Sequence, residues 1–191
     1  MSIGKESWGP YAWHLLHRVA IHDRSPINDN DKYYYYIFYS TFLYCLPCSI
    51  CKEHYDNILV YFNKLDKDRL DREYLIEWIN ITHNEVNDIL DKPQFDIDNS
   101  IKNHLVTDNN KIFYFIEGVF FHLDNNIPIF DFDQIYNFFI SFCHLYPDSR
   151  IREFLINKIK EDAFINISLP LELKRWFSNV METIHQLKIL I

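Results

Sequence analysis

The chain holds only three glycines and two methionines in 191 residues. So few glycines exclude the Gly-rich loops that wrap phosphates in P-loop and dinucleotide-binding proteins, and any nucleotide cofactor must be gripped by side chains. Basic residues are scarce too: 19 Lys and Arg stand against 27 Asp and Glu, for a formal net charge of −8. Nucleic-acid binders cluster Lys and Arg, whereas here they are interspersed with acids like solvated helix faces, so no nucleic acid is expected as a partner. No run of about 18 apolar residues exists to span a membrane, and no membrane association is expected. The opening MSIGKESWGPYAWHLLH likewise lacks an apolar stretch of secretory-signal length. Cysteine is sparse, and three of the four lie within seven residues, which is no disulfide scaffold and reads as local chemistry.

What is abundant is apolar and aromatic mass, 48% and 17% of the chain. That is ample core for one long domain or two small ones. The periodicity is helical. Trp13, Leu16, Val19 and Ala20 share a helix face that stops at Asp23-Arg24-Ser25-Pro26. The run YYYYIFYSTFLY, Tyr33 to Tyr44, has strand-like residues, but its length favours a buried helix ended or kinked at Pro47. A third helix begins near Cys48 and runs through Tyr55, Ile58, Leu59 and Phe62. A fourth, capped by Asp71, carries Leu75, Ile76, Ile79, Val86 and Leu90 and ends before Pro93. Four helices with short connections suggest a bundle. The polar stretch from Asp96 to Asn110 marks a boundary, and helical patterns resume over 111–123, 132–145, 148–160 and 171–191. The fold class is all-α.

Cys45, Cys48 and Cys51 lie at even spacing in YCLPCSICKEHY. A ferredoxin-type iron–sulfur site needs a fourth cysteine where Tyr55 stands. A zinc site could nominally draw on Cys45, Cys48, Cys51 and His54, but residues 48, 51 and 54 form a stripe on one helix that cannot wrap a tetrahedron unaided. A Cys-x-x-Cys pair at a helix start suits redox chemistry, since the terminal N–H groups and the helix dipole stabilise a thiolate. The plain alternative is inert thiols in an aromatic core. Pro47 just before Cys48, and the polar Lys52, Glu53 and His54 just after Cys51, argue against it.

Downstream, Glu77 to Asp96 reads EWINITHNEVNDILDKPQFD. With WGPYAWHLLH, LPCSICKEHY, Trp78-x4-His83-Asn84-x-Val86-Asn87 and Lys92-Pro93-x-Phe95-Asp96, residues 8 to 96 resemble the Erv/ALR family of FAD-linked sulfhydryl oxidases. The four motifs occur in family order. The resemblance implies a four-helix bundle with a short fifth helix that holds FAD non-covalently over residues 1–99. It implies Cys48 and Cys51 as the catalytic pair. Trp8, Trp13, His17, His54, His83, Asn84, Val86, Asn87 and Lys92 are the implied cofactor-binding residues, and no metal is expected. A substrate dithiolate would attack Cys48, Cys51 would pass electrons to the flavin, and O2 would leave as hydrogen peroxide. Protein thiols and O2 are then the partners. Two alternatives stay open: a zinc-dependent structural or interaction module on Cys45, Cys48, Cys51 and His54, and a flavin-free dithiol exchange protein.

The chain also departs from the family pattern. It has no separate shuttle cysteine pair, so substrates must reach Cys48 directly or relay through Cys45 or Cys143, which otherwise read as buried bystanders. Asn80 and Ile97 occupy the positions of the family's structural disulfide. In the second half, 100–191, Pro147, Asp148 and Ile151 fall on Pro47, Cys48 and Cys51 after a shift of 100 residues, and Arg152 and Glu153 fall on Lys52 and Glu53. Trp176 stands 25 residues after Ile151, much as Trp78 stands 27 after Cys51, and Met181 and Glu182 take the places of His83 and Asn84. This half reads as a degenerate, catalytically dead copy, able to cover within one chain the surface that single-domain relatives bury as homodimers. The Asn, Ile, Tyr and Asp bias and the compact start resemble the family forms of large DNA viruses, which implies the infected cell's cytoplasm or the virion, with the mitochondrial intermembrane space as the alternative.

Overall fold

The computed structural model describes residues 5–22, 27–124 and 126–186, and among these every regular element is helical. Helices α1 (Lys5–Ile21), α2 (Asp29–Thr41), α3 (Ser49–Asn57) and α4 (Arg72–Ile89) precede a short α5 (Ile97–His104). Then follow α6 (Asn109–Phe121), α7 (Ile129–Leu145), α8 (Ser149–Ile159), the single-turn α9 (Asp162–Ile165) and α10 (Pro170–Gln186). The expected helix stop at Asp23 to Pro26 and the expected helix end at Ile191 lie outside the described residues.

Capping side chains set several of these starts. Asn28, Asp71, Asp96 and Asp108 each accept from the backbone N–H three residues on, at 2.8–3.1 Å, and Asp148 accepts from Arg150 and Ile151. Each satisfies a donor that the helix itself leaves orphaned, typically worth about 1 kcal/mol. The aromatic run is helical, as its length requires, but α2 stops at Thr41 and a 3-10 turn, Phe42–Cys45, carries the chain to Pro47. Both Ser40 and Thr41 turn their hydroxyls back onto the Ile37 carbonyl, at 3.2 and 2.6 Å, a local competition that weakens the last turn. Aromatic polar tips are satisfied inside the core: the Tyr39 hydroxyl donates to Leu16 O, that of Tyr55 to Tyr39 O, and Trp78 Nε1 to Asn63 O.

The two halves share one continuous core. α1 lies between α4 and α6, and α2 packs along α7. Phe38 stacks on Phe138 with ring centroids 5.0 Å apart, flanked by Tyr34 on His144 at 3.9 Å and Phe42 on Phe115 at 5.6 Å. The polar stretch read as a boundary is not slack. It carries α5, which leans on α1 and α4, and it is tied to α1 where Arg18 Nε donates to Thr107 Oγ1 and Asp108 N to His14 Nε2.

Phe138→Ala should cost about 3–5 kcal/mol, the usual penalty for emptying an aromatic site in a core. Because the core is continuous, urea unfolding followed by tryptophan fluorescence and by far-UV circular dichroism should show one coincident transition. Two separated transitions would contradict a shared core.

Candidate functional site

Leu46 is extended, as a residue before proline must be, and Pro47 delivers Cys48 to the N-cap of α3. Cys51 follows one turn into the helix. Its N–H donates to Cys48 Sγ at 3.2 Å, and the two sulfurs are joined as a disulfide with Cα atoms 5.2 Å apart. A helix start therefore faces Cys48, the setting that favours thiolate over thiol when the bond opens.

The disulfide opens onto a cavity of about 590 Å³ enclosed by α1, α3, α4 and α5, within the roughly 300–1,000 Å³ typical of small-molecule sites. The structure brings to its walls Trp8 and Trp13 from α1, Cys48, Cys51 and His54 at α3, His83, Val86 and Asn87 from α4, and Lys92 beyond α4. His17 and Asn84 do not line it. His17 is buried behind the wall, with Nε2 2.9 Å from His83 Nδ1 and Nδ1 3.0 Å from Ser100 Oγ. Asn84 faces the chain after α4, exchanging two hydrogen bonds with the Phe95 backbone: Nδ2 donates to O at 2.9 Å and N donates to Oδ1 at 2.8 Å.

That pairing belongs to a ladder. Asn80, Asn84 and Asn87 share one face of α4, and their amides hold Phe95 O, the Phe95 backbone and Pro93 O in turn. Asp91 adopts left-handed backbone at φ 51°, a conformation that Asp tolerates better than most residues, and ends the helix so that Lys92 turns into the cavity. Asn80 stands at one expected disulfide position and Ile97, partly exposed at the start of α5, at the other. Side-chain amides do here what the covalent staple would do. Sequence reasoning missed Asn103 and His104, which line the cavity from α5. The Asp96 cap signalled that helix, and the spacing of Ser100 and His104 gave its inward face.

Behind the cavity four histidines from three helices meet. His17 stacks on His104 at 4.4 Å, His14 lies 5.7 Å from His104, and His83 stacks on Trp13 at 3.9 Å and 10°. Burial is the main force holding all four below their ordinary value of 6.5, reinforced by neighbouring cations and imidazoles. His14 falls to about 4 and His83 to about 3, while His17 is well below and His104 below. These four imidazoles are accordingly neutral at physiological pH. Trp8 Nε1 is buried with no hydrogen-bond partner among the described residues, a donor without an acceptor on a residue that lines the cavity. Burial pushes the Cys45 and Cys143 thiols up, well away from thiolate at neutral pH. Among the described residues no cluster of His, Cys, Asp or Glu could hold a metal ion, which disfavours the zinc reading.

A disulfide at a helix start, facing an aromatic cavity inside a helical bundle, defines the class: a redox protein with room for a planar cofactor. The model of the Erv1/Alr family matches residues 10–105, half of the chain, and the chain belongs to that family. It is 38% identical over 84 residues to a probable FAD-linked sulfhydryl oxidase of Acanthamoeba polyphaga mimivirus, covering 43% of this chain and 57% of that protein. It is 33% identical over 88 residues to an FAD-linked sulfhydryl oxidase of African swine fever virus, covering 44% and 69%. The mitochondrial FAD-linked sulfhydryl oxidase of Saccharomyces cerevisiae is 32% identical over 91 residues, covering 48% and 47%. The chain thus spans about half the length of the mimivirus and yeast relatives. No solved structure matches it significantly.

A histidine whose folded pKa is depressed stabilises the fold fully above 6.5 and progressively less as pH falls toward its folded value, because the unfolded chain takes the proton first. The urea midpoint should therefore fall between about pH 7 and pH 5, before most carboxylates titrate. His14→Gln, which keeps an acceptor for Asp108 N, should make that fall shallower. A flat wild-type profile would show that the cluster is not buried neutral.

Proposed function

We propose that the chain is an FAD-dependent thiol oxidase, forming disulfides in protein substrates and passing the electrons through Cys48–Cys51 to FAD and then to O2. The observation that carries this reading is the disulfide facing an aromatic cavity with an unsatisfied indole donor. FAD in the viral and yeast relatives' names supports the cofactor. The fit is chemical as well. With three glycines in the chain, a dinucleotide must be held by side chains. Trp8, Trp13, His83 and His54 offer ring faces and polar edges, Asn87 an amide and Lys92 a cation for phosphate. His17 acts through its hydrogen bond to His83, and Asn84 by fixing the loop that presents Lys92 and Phe95.

In the exchange steps, a substrate thiolate attacks Cys48 Sγ, the new bond forms as Cys48–Cys51 breaks, and Cys51 leaves as a thiolate on the cavity side. The second substrate thiol, deprotonated, attacks the substrate sulfur of that mixed disulfide, and Cys48 leaves as the second thiolate. The helix start opposite Cys48 stabilises that leaving group. FAD, when bound, would supply the two-electron acceptor for the Cys48 and Cys51 thiolates, with O2 as the final acceptor.

The second half, 100–191, we read as a degenerate copy that has lost the cysteines. Element starts support it: α2 and α7 begin at 29 and 129, α3 and α8 at 49 and 149, with N-caps at 48 and 148. Phe38 against Phe138 is a pair of residues equivalent under the 100-residue shift, as on an internal two-fold axis. An intramolecular pseudo-dimer follows, in place of a homodimer. The viral relatives favour the cytoplasm of an infected cell, although the yeast relative is mitochondrial.

The purified protein should show a flavin spectrum that bleaches with dithiothreitol without air and returns with oxygen. A protein that stays colourless after FAD is added, yet exchanges disulfides, would establish the flavin-free alternative. Cys48→Ala and Cys51→Ala should each abolish oxygen consumption with dithiothreitol while leaving FAD bound; full activity in either would overturn the reading. Cys143→Ala should keep most of the activity, since burial holds that thiol protonated, and complete loss would assign it a relay.

A further inference from the structure

Two concavities lie beside Pro47 and Ser49, the chain neighbours of Cys48, and both are built largely by the second half. One, of about 240 Å³, lies between Trp8, Pro47 and α6, with Tyr114, Gly118 and Phe121 on its far wall. The other, of about 420 Å³, runs from Leu46 and Pro47 over Lys52 to Asp124 and Asp131 at the start of α7. They meet at Pro47, Val119 and His122. Trp8 and Leu46 are shared with the cofactor cavity, so these two side chains form the partition between it and the outer groove.

We infer that this groove is the docking site for the thiol substrate, which lies across Pro47 as an extended polypeptide segment. An aromatic or long aliphatic side chain sits in the Trp8–α6 pocket on one side of the reacting cysteine, and a basic side chain faces Asp124 and Asp131 on the other. The inference rests on the oxidase reading above. Its occupant is set by position, since a thiolate that attacks Cys48 must bring its neighbouring residues over Pro47, the residue both hollows share. The apolar end is set by composition: Tyr114 and Phe121 are 52% and 70% exposed beside an almost wholly apolar pocket, surface that a partner's apolar side chain would cover. The polar end is set by charge, two carboxylates at the rim of the second hollow. Lys52, one turn beyond Cys48, lines the same hollow. The degenerate half, without cysteines of its own in the reaction, thereby supplies the outer wall of the substrate groove.

Gly118 allows a clean test, because a Cβ built there meets nothing within 4 Å. Gly118→Trp places an indole on a helix position that lines the pocket. The substrate is a reduced peptide with Phe before and Arg after a Cys-x-x-Cys pair, compared with the same peptide carrying Ser at both flanks. Gly118→Trp should raise KM for the Phe/Arg peptide by about tenfold, with kcat and dithiothreitol oxidation unchanged, and Asp131→Asn should raise it severalfold. The Ser-flanked peptide should already show the higher KM with the wild type. Equal KM values for the two peptides, or no response to Gly118→Trp, would overturn the groove while dithiothreitol oxidation still upheld the oxidase. Absence of that oxidation would refute the oxidase itself. Binding is then read independently by fluorescence anisotropy of a labelled Phe/Arg peptide with serines for cysteines. Weaker binding to Gly118→Trp supports the groove, and undetectable or unchanged binding refutes it.

Discussion

Helix α1 is packed on three sides at once, by α4, by α5 and by α6, and the geometry of the cavity depends on that confinement. Trp13 lies against His83 of α4, and His14 and His17 reach His104 of α5. On the side of the second half, the Tyr11 ring lies 4.5 Å from Tyr114 of α6. A helix held on one side can roll to relieve a misfit, whereas one held on three cannot without emptying one contact to fill another. Trp8 is set by the same confinement, and so is the partition it makes. The second half therefore acts on the chemistry at a distance, by fixing how α1 presents its rings.

Hydrogen bonds complete what packing begins. Three asparagines on one face of α4 hold the segment leading to α5, and His17 ties His83 to Ser100, so three elements that are separate in sequence close one wall. Such bonds each contribute about 1 kcal/mol, but a partner removed from a buried one leaves a desolvated group behind, and that asymmetry enforces the arrangement. The neutral histidines follow the same logic. Charging one would set it among imidazoles and cations in a place that water does not reach.

Helices, caps and a Cys-x-x-Cys pair at a helix start were legible in the sequence because each is written locally. Asp71 before an amphipathic run, Pro47 before Cys48, and a Cys-x-x-Cys at a helix start need no knowledge of the rest of the chain. Residues lining the cavity were legible as a set only through the family resemblance, which names Trp8, Trp13, His54, His83, Val86, Asn87 and Lys92 together. Where reading failed, the cause was tertiary. Asn84 sits between His83 and Asn87 in sequence, yet faces the Phe95 backbone, a partner eleven residues away that periodicity does not reveal. Composition from Asp96 to Asn110 likewise does not show that Thr107 and Asp108 bond to α1. His14 and His104 acquire meaning only as neighbours, which their positions in the sequence do not show.

The exchange of a covalent staple for amides has a consequence for where such a protein can operate. Of its four cysteines, two form the reactive disulfide and two are buried free thiols, so no cross-link is committed to holding the architecture. A reductant that opens Cys48–Cys51 removes a loop closed over three residues and nothing else. Opening it leaves in place the side chains that set the shape, since the amides and imidazoles that tie the helices together carry no redox state.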